Sequence, residues 1–368
     1  ISNSSKITLW FHGASVGEIL SVIPIIKIFD KDKKIKKILL TSSTKSSAQI
    51  IKNFRFKKTL HKYYPLDENY ITKRFIKFWK PKTAIFIDSE IWPNMFKNLE
   101  EKKIPIILIN GRITKKSYRR WSNFSYFARE IFSKISLALP QNQESFNYLK
   151  KLGVKNIKSV GNLKYFGETT NKASTNLKKL FINRKVFCCA STHSGEENFI
   201  AEAHIKARKK VKNLITIIIP RHIHRVNSII QDLKTKNLKV IKRSSGKSPK
   251  KSTDIYIVDT YGEANQFYSL CNLSFVGGSL IKHGGQNPLE PARNKNYILH
   301  GPYTDNFDEV YTLLTKLNIA YKINSNSNMA KLIQTKIEHK QKAKVSNKLK
   351  ILGENILKNN ISEINKFL

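Results

Sequence analysis

Short apolar runs alternate along this chain with segments whose apolar positions recur every three to four residues. The runs at 7–12, 38–41, 84–88, 104–110 and 135–139 predict strands. Between them, residues 18–29, 44–53, 69–78, 94–100, 115–132 and 143–151 carry helical spacing. Continuous Ile/Leu runs separated by helices predict parallel strands covered on both faces. The polar stretch 161–174 breaks the alternation and reads as a linker. A second series follows, with strands expected at 186–190, 214–219, 239–241, 255–258, 273–276 and 298–299. Helices are expected at 196–210, 224–236, 263–270, 288–294 and 307–317, and Lys-rich helices from residue 328 onward. The pattern predicts an α/β protein of two doubly wound parallel-sheet domains, 1–165 and 166–368, with the final helix free to return to the first. The Lys/Ser-rich stretch 243–252 reads as a solvated loop.

Doubly wound sheets bind ligands beyond the carboxyl ends of their strands, and that is where the motifs fall. Gly13-Ala14-Ser15-Val16-Gly17-Glu18 follows the first strand, Asp88-Ser89-Glu90-Ile91-Trp92-Pro93 the third, and Asn110-Gly111-Arg112 the fourth. In the second series Ser191-Thr192-His193, Pro220-Arg221-His222 and Asp259-Thr260-Tyr261-Gly262-Glu263 take the same place. The densest stretch runs from Gly277-Gly278-Ser279 through Gly284-Gly285 to Asn287-Pro288-Leu289-Glu290. Its glycines would let backbone N–H groups approach a bulky anion. Asn287 is expected as an N-cap and Pro288 as the first helical residue, so the helix dipole would point at the loop. Glu290 could then reach vicinal hydroxyls such as those of a ribose. The plain alternative is a glycine-rich turn; the capped Asn-Pro-x-Glu favours a nucleotide seat.

The 368 residues exceed one typical domain. An apolar fraction of 40% supports real cores and excludes a disordered polyelectrolyte. With 67 Lys+Arg against 26 Asp+Glu the net charge is +41, a field that attracts nucleic acid, anionic lipid or phosphorylated glycolipid. The abundance of Lys beside Ile and Asn also fits a compositional bias, so charge alone selects no partner. Cys188, Cys189 and Cys271 have no metal spacing and read as small buried hydrophobes, which fits a reducing compartment. No apolar run reaches membrane-spanning length.

Candidate chemistry sits against ordinary alternatives. Glu18 could be a general base or a carboxylate complementing a helix dipole, and spacing does not choose. Asp88 and Glu90 flank one serine and would share a strand face; ion pairing to lysines is the simpler use. Arg221 could grip a phosphate bidentately, or lie on the surface. His222 and His224 alternate without a sensibly spaced third ligand, so no metal and no other cofactor is expected. Asp30-Lys31-Asp32 mimics the DxD of sugar transferases but is expected in a solvated turn. There is no Walker A sequence and no GxGxxG after the first strand, which argues against an ATPase and a dinucleotide enzyme.

Taken in order, FHGASVGE, DSEIWPN, NGRIT, QNQESFNYLKKLGV, GNLKYF, ASTHSGEE, IIIPRHIHR, DTYGEANQFYSLCNLSFVGGSLIKHGGQNPLEP and HGPYTDNF resemble the 3-deoxy-D-manno-octulosonic acid (Kdo) transferases of lipopolysaccharide synthesis. The resemblance implies a GT-B architecture, two Rossmann-like halves with a cleft between them. It implies inverting, metal-independent transfer of Kdo from CMP-Kdo to a lipid A precursor such as lipid IVA. Glu18 matches the family's base; Asp88 and Lys164 match residues that support the transition state, with Glu90 beside them. Arg221, His222, Tyr261, Gly262, Glu263 and the Gly277–Glu290 stretch match CMP-contacting segments. Ser15, Asn110, Arg112, Ser191, Thr192 and His193 fall on the acceptor side or position other groups. Asp88 replaces the usual Glu, Tyr261 a Met, and Gln286 a His. The family also implies an anionic membrane surface as a partner, no nucleic acid, and the cytoplasmic face of the bacterial inner membrane, reached through an anchor upstream of Ile1. Two alternatives stay open: a nucleotide-sugar epimerase of the same architecture and, distantly, a basic nucleic-acid-binding protein.

Overall fold

A computed structural model describes residues 7–167, 173–341 and 343–368. The chain forms two compact units: the first holds it through residue 167 and regains it at 351–368, the second takes the residues between. Residues 168–172, within the expected linker, lie outside the described residues.

In the first unit β1 (Ile7–His12), β2 (Ile35–Ser42), β3 (Thr59–Tyr63), β4 (Thr83–Ile87), β5 (Ile106–Gly111) and β6 (Leu137–Pro140) form one sheet, ordered β3-β2-β1-β4-β5-β6. Every pairing is parallel. The winding reverses between β1 and β4, where a ligand crevice is expected. Alternate residues of β1 serve two cores: Leu9 and Phe11 pack with Ile19, Val22 and Ile26, whereas Trp10 packs with Phe86 and Phe96. Burial on both faces is why the strands read as unbroken apolar runs. Residues 351–368 belong here too, with Ile356 and Ile364 in the core.

In the second unit β7 (Lys185–Thr192), β8 (Leu214–Pro220), β9 (Val240–Lys242), β10 (Ile255–Ile257), β11 (Leu273–Val276), β12 (Tyr297–His300) and β13 (Ala320–Lys322) form a parallel sheet, ordered β13-β12-β11-β7-β8-β10-β9. Its winding reverses between β7 and β11. Cys188 and Cys189 are neighbours on a strand and therefore enter opposite core layers. All three cysteines are free and buried.

Four expectations need correction. β3 and β13 carry no apolar run and were not foreseen; both are edge strands, so one side of each lacks a strand partner. The helix expected at 115–132 is two helices, Lys115–Ser122 and Ser125–Phe132, broken at Asn123-Phe124. Only Leu289–Arg293 is helical after the glycine loop; Pro288 takes the N-cap place and Leu289 the first helical one. Asp30 is buried rather than solvated: its carboxylate accepts the N–H groups of Lys57 and Lys58, each at 2.8 Å, and the Thr59 hydroxyl at 2.9 Å. Those bonds hold β3 on the sheet.

Burial alone would raise the Asp30 pKa, but the backbone N–H bonds from Lys57 and Lys58 and the Thr59 hydroxyl bring it below the ordinary value. A lowered native pKa contributes stability that is present above about pH 4 and lost as pH falls through the native value. Asp30→Ala is expected to cost about 1–3 kcal/mol at pH 7 in urea unfolding, and the gap to the parent should narrow below about pH 4.

Candidate functional site

Past β1, Ser15 caps the helix Val16–Lys31 by accepting the Glu18 N–H at 3.3 Å. Glu18 reaches back and accepts from the Ala14 N–H at 2.8 Å and from the Ser15 hydroxyl at 2.7 Å. This is a Ser-x-x-Glu capping arrangement, so the helix-start use of Glu18 is realised. It does not exhaust the residue. Burial raises the Glu18 pKa; the bonds from Ser15 and Ala14 oppose that, and the neighbouring carboxylates Glu90 and Asp88 add to the rise. A half-buried carboxylate held above its ordinary pKa is suited to taking up a proton.

Asp88 and Glu90 do not share a strand face. β4 ends at Ile87, and Asp88 turns left-handed with φ 62°. The Asp88 N–H donates to the Ile109 carbonyl at 3.0 Å and its own carbonyl accepts from the Arg112 N–H at 2.9 Å, tying the ends of β4 and β5 together. Its carboxylate lies 3.9 Å from the Lys164 ammonium. Burial raises its pKa, with Lys164 and Arg112 pulling against that and Glu90 reinforcing it. Glu90 instead accepts from the Trp92 indole at 2.9 Å and pairs with His12 Nε2 at 3.1 Å. His12 is fully buried, bonded to the Thr41 hydroxyl at 3.0 Å and stacked on Tyr64. Asn110 accepts the Leu163 N–H at 3.1 Å, which fixes the turn that carries Lys164, and its buried Nδ2 has no hydrogen-bond partner. Glu18, Asp88, Glu90, Asn110, Arg112 and Lys164 thus gather at the winding reversal of the first sheet.

The second unit gathers Ser191 and Thr192 at the end of β7 with His193, Arg221, His222 and Gly277–Ser279 past β7, β8 and β11. Its centre was missed in the sequence. Glu196 is buried, and its carboxylate accepts N–H groups from His193 at 2.9 Å, Gly278 at 2.8 Å, Ser279 at 3.1 Å and Leu280 at 3.0 Å. Burial raises its pKa and those four donors resist the rise. Of the glycine donors expected to cradle a ligand anion, that of Gly278 is therefore already satisfied by a side chain. Gly285 and Gln286 also spend their N–H groups internally, on the carbonyls of Gly278 and Gly277. Glu197 holds Thr192 at 2.9 Å and accepts both Arg225 nitrogens, at 3.1 and 3.0 Å. His283, His193, His222 and His224 follow one another in that order with ring centres 4.3–5.9 Å apart. Burial, with His283, His222 and Arg221 nearby, lowers the His193 pKa to about 4, so its imidazole is neutral near pH 7.

Gly277 permits a close approach: a Cβ there would lie 2.2 Å from the Ser191 carbonyl oxygen. Ser279 is buried and donates to the Val276 carbonyl at 2.6 Å. Asn287 still accepts the Leu289 N–H, at 3.0 Å, but the five-residue helix it precedes offers little dipole. Glu290 is exposed. Glu263 is held on the β9–β10 side by Arg243, at 3.1 and 3.3 Å, and by the Thr260 hydroxyl, while Tyr261 is 82% exposed beside Gly262. The sequence did signal Glu196: Ser-Gly-Glu-Glu after β7 repeats the small-residue-then-Glu pattern that flagged Glu18 after β1.

Two doubly wound parallel sheets with such clusters past their strand ends define an α/β protein of GT-B type. The UDP-GlcNAc 2-epimerase from Neisseria meningitidis bound to UDP-GlcNAc superposes with a TM-score of 0.60 at 14% identity, covering 96% of this chain and 100% of that one. A putative UDP-N-acetylglucosamine 2-epimerase from Listeria monocytogenes gives 0.62 at 9% identity, covering 98% of both chains. At these identities the likeness is one of fold. A family model described as 3-Deoxy-D-manno-octulosonic-acid transferase (kdotransferase) matches residues 2–166. The 3-deoxy-D-manno-octulosonic acid transferase of Haemophilus influenzae is 31% identical over 86% of this chain and 76% of its own length. That of Rickettsia felis is 32% identical over 98% of this chain and 78% of its own. The chain belongs to the Kdo transferase family, and it is a glycosyltransferase of lipopolysaccharide synthesis.

Glu196→Ala would leave buried N–H groups unpaired on two loops, and a loss of about 3 kcal/mol or more is expected in denaturant unfolding. Gly277→Ala forces a Cβ against backbone and should cost about 1–3 kcal/mol, or more where the backbone cannot yield, read as a lower thermal midpoint.

Proposed function

We propose that the protein transfers Kdo from CMP-Kdo to a lipid A precursor of the lipid IVA type, inverting the anomeric centre, with Glu18 as general base. One observation carries this reading: a half-buried Glu18 whose pKa is raised by burial and by the adjacent Glu90 and Asp88. Deprotonated Glu18 takes the proton of the acceptor hydroxyl as its oxygen attacks the sugar opposite the leaving phosphate. Both carboxylate oxygens already accept local hydrogen bonds, which fixes their direction. Positive charge develops on the sugar ring as the bond to CMP breaks. Asp88 and Glu90 set a negative potential for it, and Lys164 works against the burial that raises the Asp88 pKa. The leaving CMP gains negative charge, which Arg221 and His222 stabilise, with Tyr261-Gly262-Glu263 and Asn287-Pro288-Leu289-Glu290 holding the nucleotide. No step calls on a metal. Action at the cytoplasmic face of the inner membrane, on a lipid acceptor, is part of the same proposal.

Mass spectrometry of the lipid product from CMP-Kdo tests the assignment. Glu18→Gln should lower the transfer rate by about 10²-fold or more, while the affinity for CMP stays near that of the parent. A normal rate in a folded Glu18→Gln protein would remove Glu18 as the base. The base works deprotonated and its pKa is raised, so kcat/KM should fall as pH drops through a value above the ordinary carboxylate pKa of 4.5. The fold also suits an epimerase. CMP-Kdo turnover without lipid acceptor would favour that reading, and none beyond slow hydrolysis is expected.

A further inference from the structure

Trp10 and His12 take the face of β1 that Leu9 and Phe11 leave, and both are fully buried. The Trp10 indole donates to the Thr41 hydroxyl at 2.9 Å. His12 Nδ1 lies 3.0 Å from the same hydroxyl and 3.3 Å from the Thr41 carbonyl. The far nitrogen, Nε2, lies 3.1 Å from Glu90 Oε2, which also accepts the Trp92 indole at 2.9 Å. Strands β1 and β2 thus carry a chain of polar contacts through the core and end it on one of the three acids at the winding reversal.

Counting donors fixes the direction at that end. An indole only donates, so Thr41 Oγ1 accepts from Trp10. The Thr41 hydrogen then has two acceptors, His12 Nδ1 and the Phe11 carbonyl at 3.3 Å. In the first case the ring carries its hydrogen on Nε2. In the second Nδ1 donates to Thr41, and Nε2 still needs a hydrogen, because a bare lone pair would face the carboxylate oxygen. Either way Nε2–H donates to Glu90, and no nitrogen of the buried ring is left unpaired. Tyr64 stacks on the imidazole with centres 3.9 Å apart, Phe86 meets it edge-on at 5.8 Å and Trp92 lies at 6.0 Å. These rings keep water from the imidazole, where a hydrogen bond to a carboxylate is stronger than at the surface. Tyr64 brings no charge: burial, with Asp67 and Glu90 nearby, raises its pKa well above the ordinary value. A histidine serving packing alone has no need of a carboxylate.

We propose that His12 is a positioning residue for the transfer: its Nε2–H holds the Glu90 carboxylate in place beside Glu18, and Thr41 and Trp10 hold His12. The proposal rests on the reading of Glu18 as the base. Glu18 accepts from the Ser15 hydroxyl and the Ala14 N–H and faces two acids, Glu90 and Asp88, of which Asp88 has Lys164 and Arg112 against it. Glu90 raises the proton affinity of Glu18, and a stronger base takes the acceptor proton more readily. Without the Nε2–H the carboxylate is free to swing from Glu18, and its effect on the Glu18 proton goes with it.

The test reads Kdo transfer against pH in His12→Leu, His12→Gln and Glu90→Gln. His12→Leu and Glu90→Gln should each lower kcat about tenfold or more near neutral pH, with KM for CMP-Kdo within about twofold of the parent. Both should move the acid limb of kcat/KM to lower pH, because loss of the Glu90 charge lowers the Glu18 pKa. His12→Gln, whose amide carries an N–H to about the place of Nε2, should keep the limb and recover most of kcat. A rate cut at every pH with the limb unmoved overturns the proposal, and so does a His12→Leu effect that persists in full when added to Glu90→Gln. A second measurement needs no turnover. With isotope-labelled histidine, proton–nitrogen NMR should show a slowly exchanging Nε2–H that His12→Gln removes and Glu90→Gln moves; its absence overturns the proposal. A normal rate in Glu18→Gln, or no Kdo transfer by the parent, would instead remove the proposed base or reaction, while this signal still decides the contact of His12 with Glu90.

Discussion

Four backbone N–H groups from two loops converge on the Glu196 carboxylate, and the loops past β7 and β11 depend on that convergence. Without a negative charge inside, the backbone after β11 would present unpaired donors and could not close on β7 as tightly as Gly277 allows. The same device recurs in smaller form. Asp30 fastens β3 through the N–H groups of Lys57 and Lys58, and Asp67 caps the helix Pro93–Glu101 through Asn94 at 3.1 Å and Met95 at 2.9 Å. A chain with 26 acids among 67 bases spends several of its few carboxylates on its own backbone. The bases, by contrast, are left largely at the surface.

That division explains what the sequence disclosed and what it hid. Sheets buried on both faces leave a strong apolar signal, so β1, β4, β5, β7, β8 and β11 were legible. Edge strands β3 and β13 have half-exposed backbones and mixed side chains, and nothing in TLHKY or AYK marks them apart from loop. The strand-end loops were legible through their small residues and through the family resemblance. Their internal wiring was not: whether a glycine loop is empty or filled by a distant carboxylate depends on contacts 82–84 positions apart. The helix break at Asn123-Phe124 was hidden for the opposite reason, because its residues keep helical spacing while lacking a core to face.

The two clusters differ in how they treat negative charge. In the second unit Glu196 and Glu197 are neutralised by backbone donors and by Arg225, and the imidazoles of His193 and His222 stand beside them. In the first unit Glu90 and Asp88 lie close enough to raise the Glu18 pKa, and Glu90 raises that of Asp88, with Lys164 the near counter-charge of Asp88. One cluster favours anions and the other favours positive charge and protons. That polarity suits the proposed transfer from a phosphate donor to a hydroxyl acceptor.

The backbone of Asp88 is left-handed at φ 62°. Asp and Asn enter that region with less strain than longer side chains do. The shorter residue forgoes one methylene of reach but has one fewer torsion to immobilise. Its carboxylate is consequently aimed by the main-chain turn itself, a fixed mount in place of an adjustable arm.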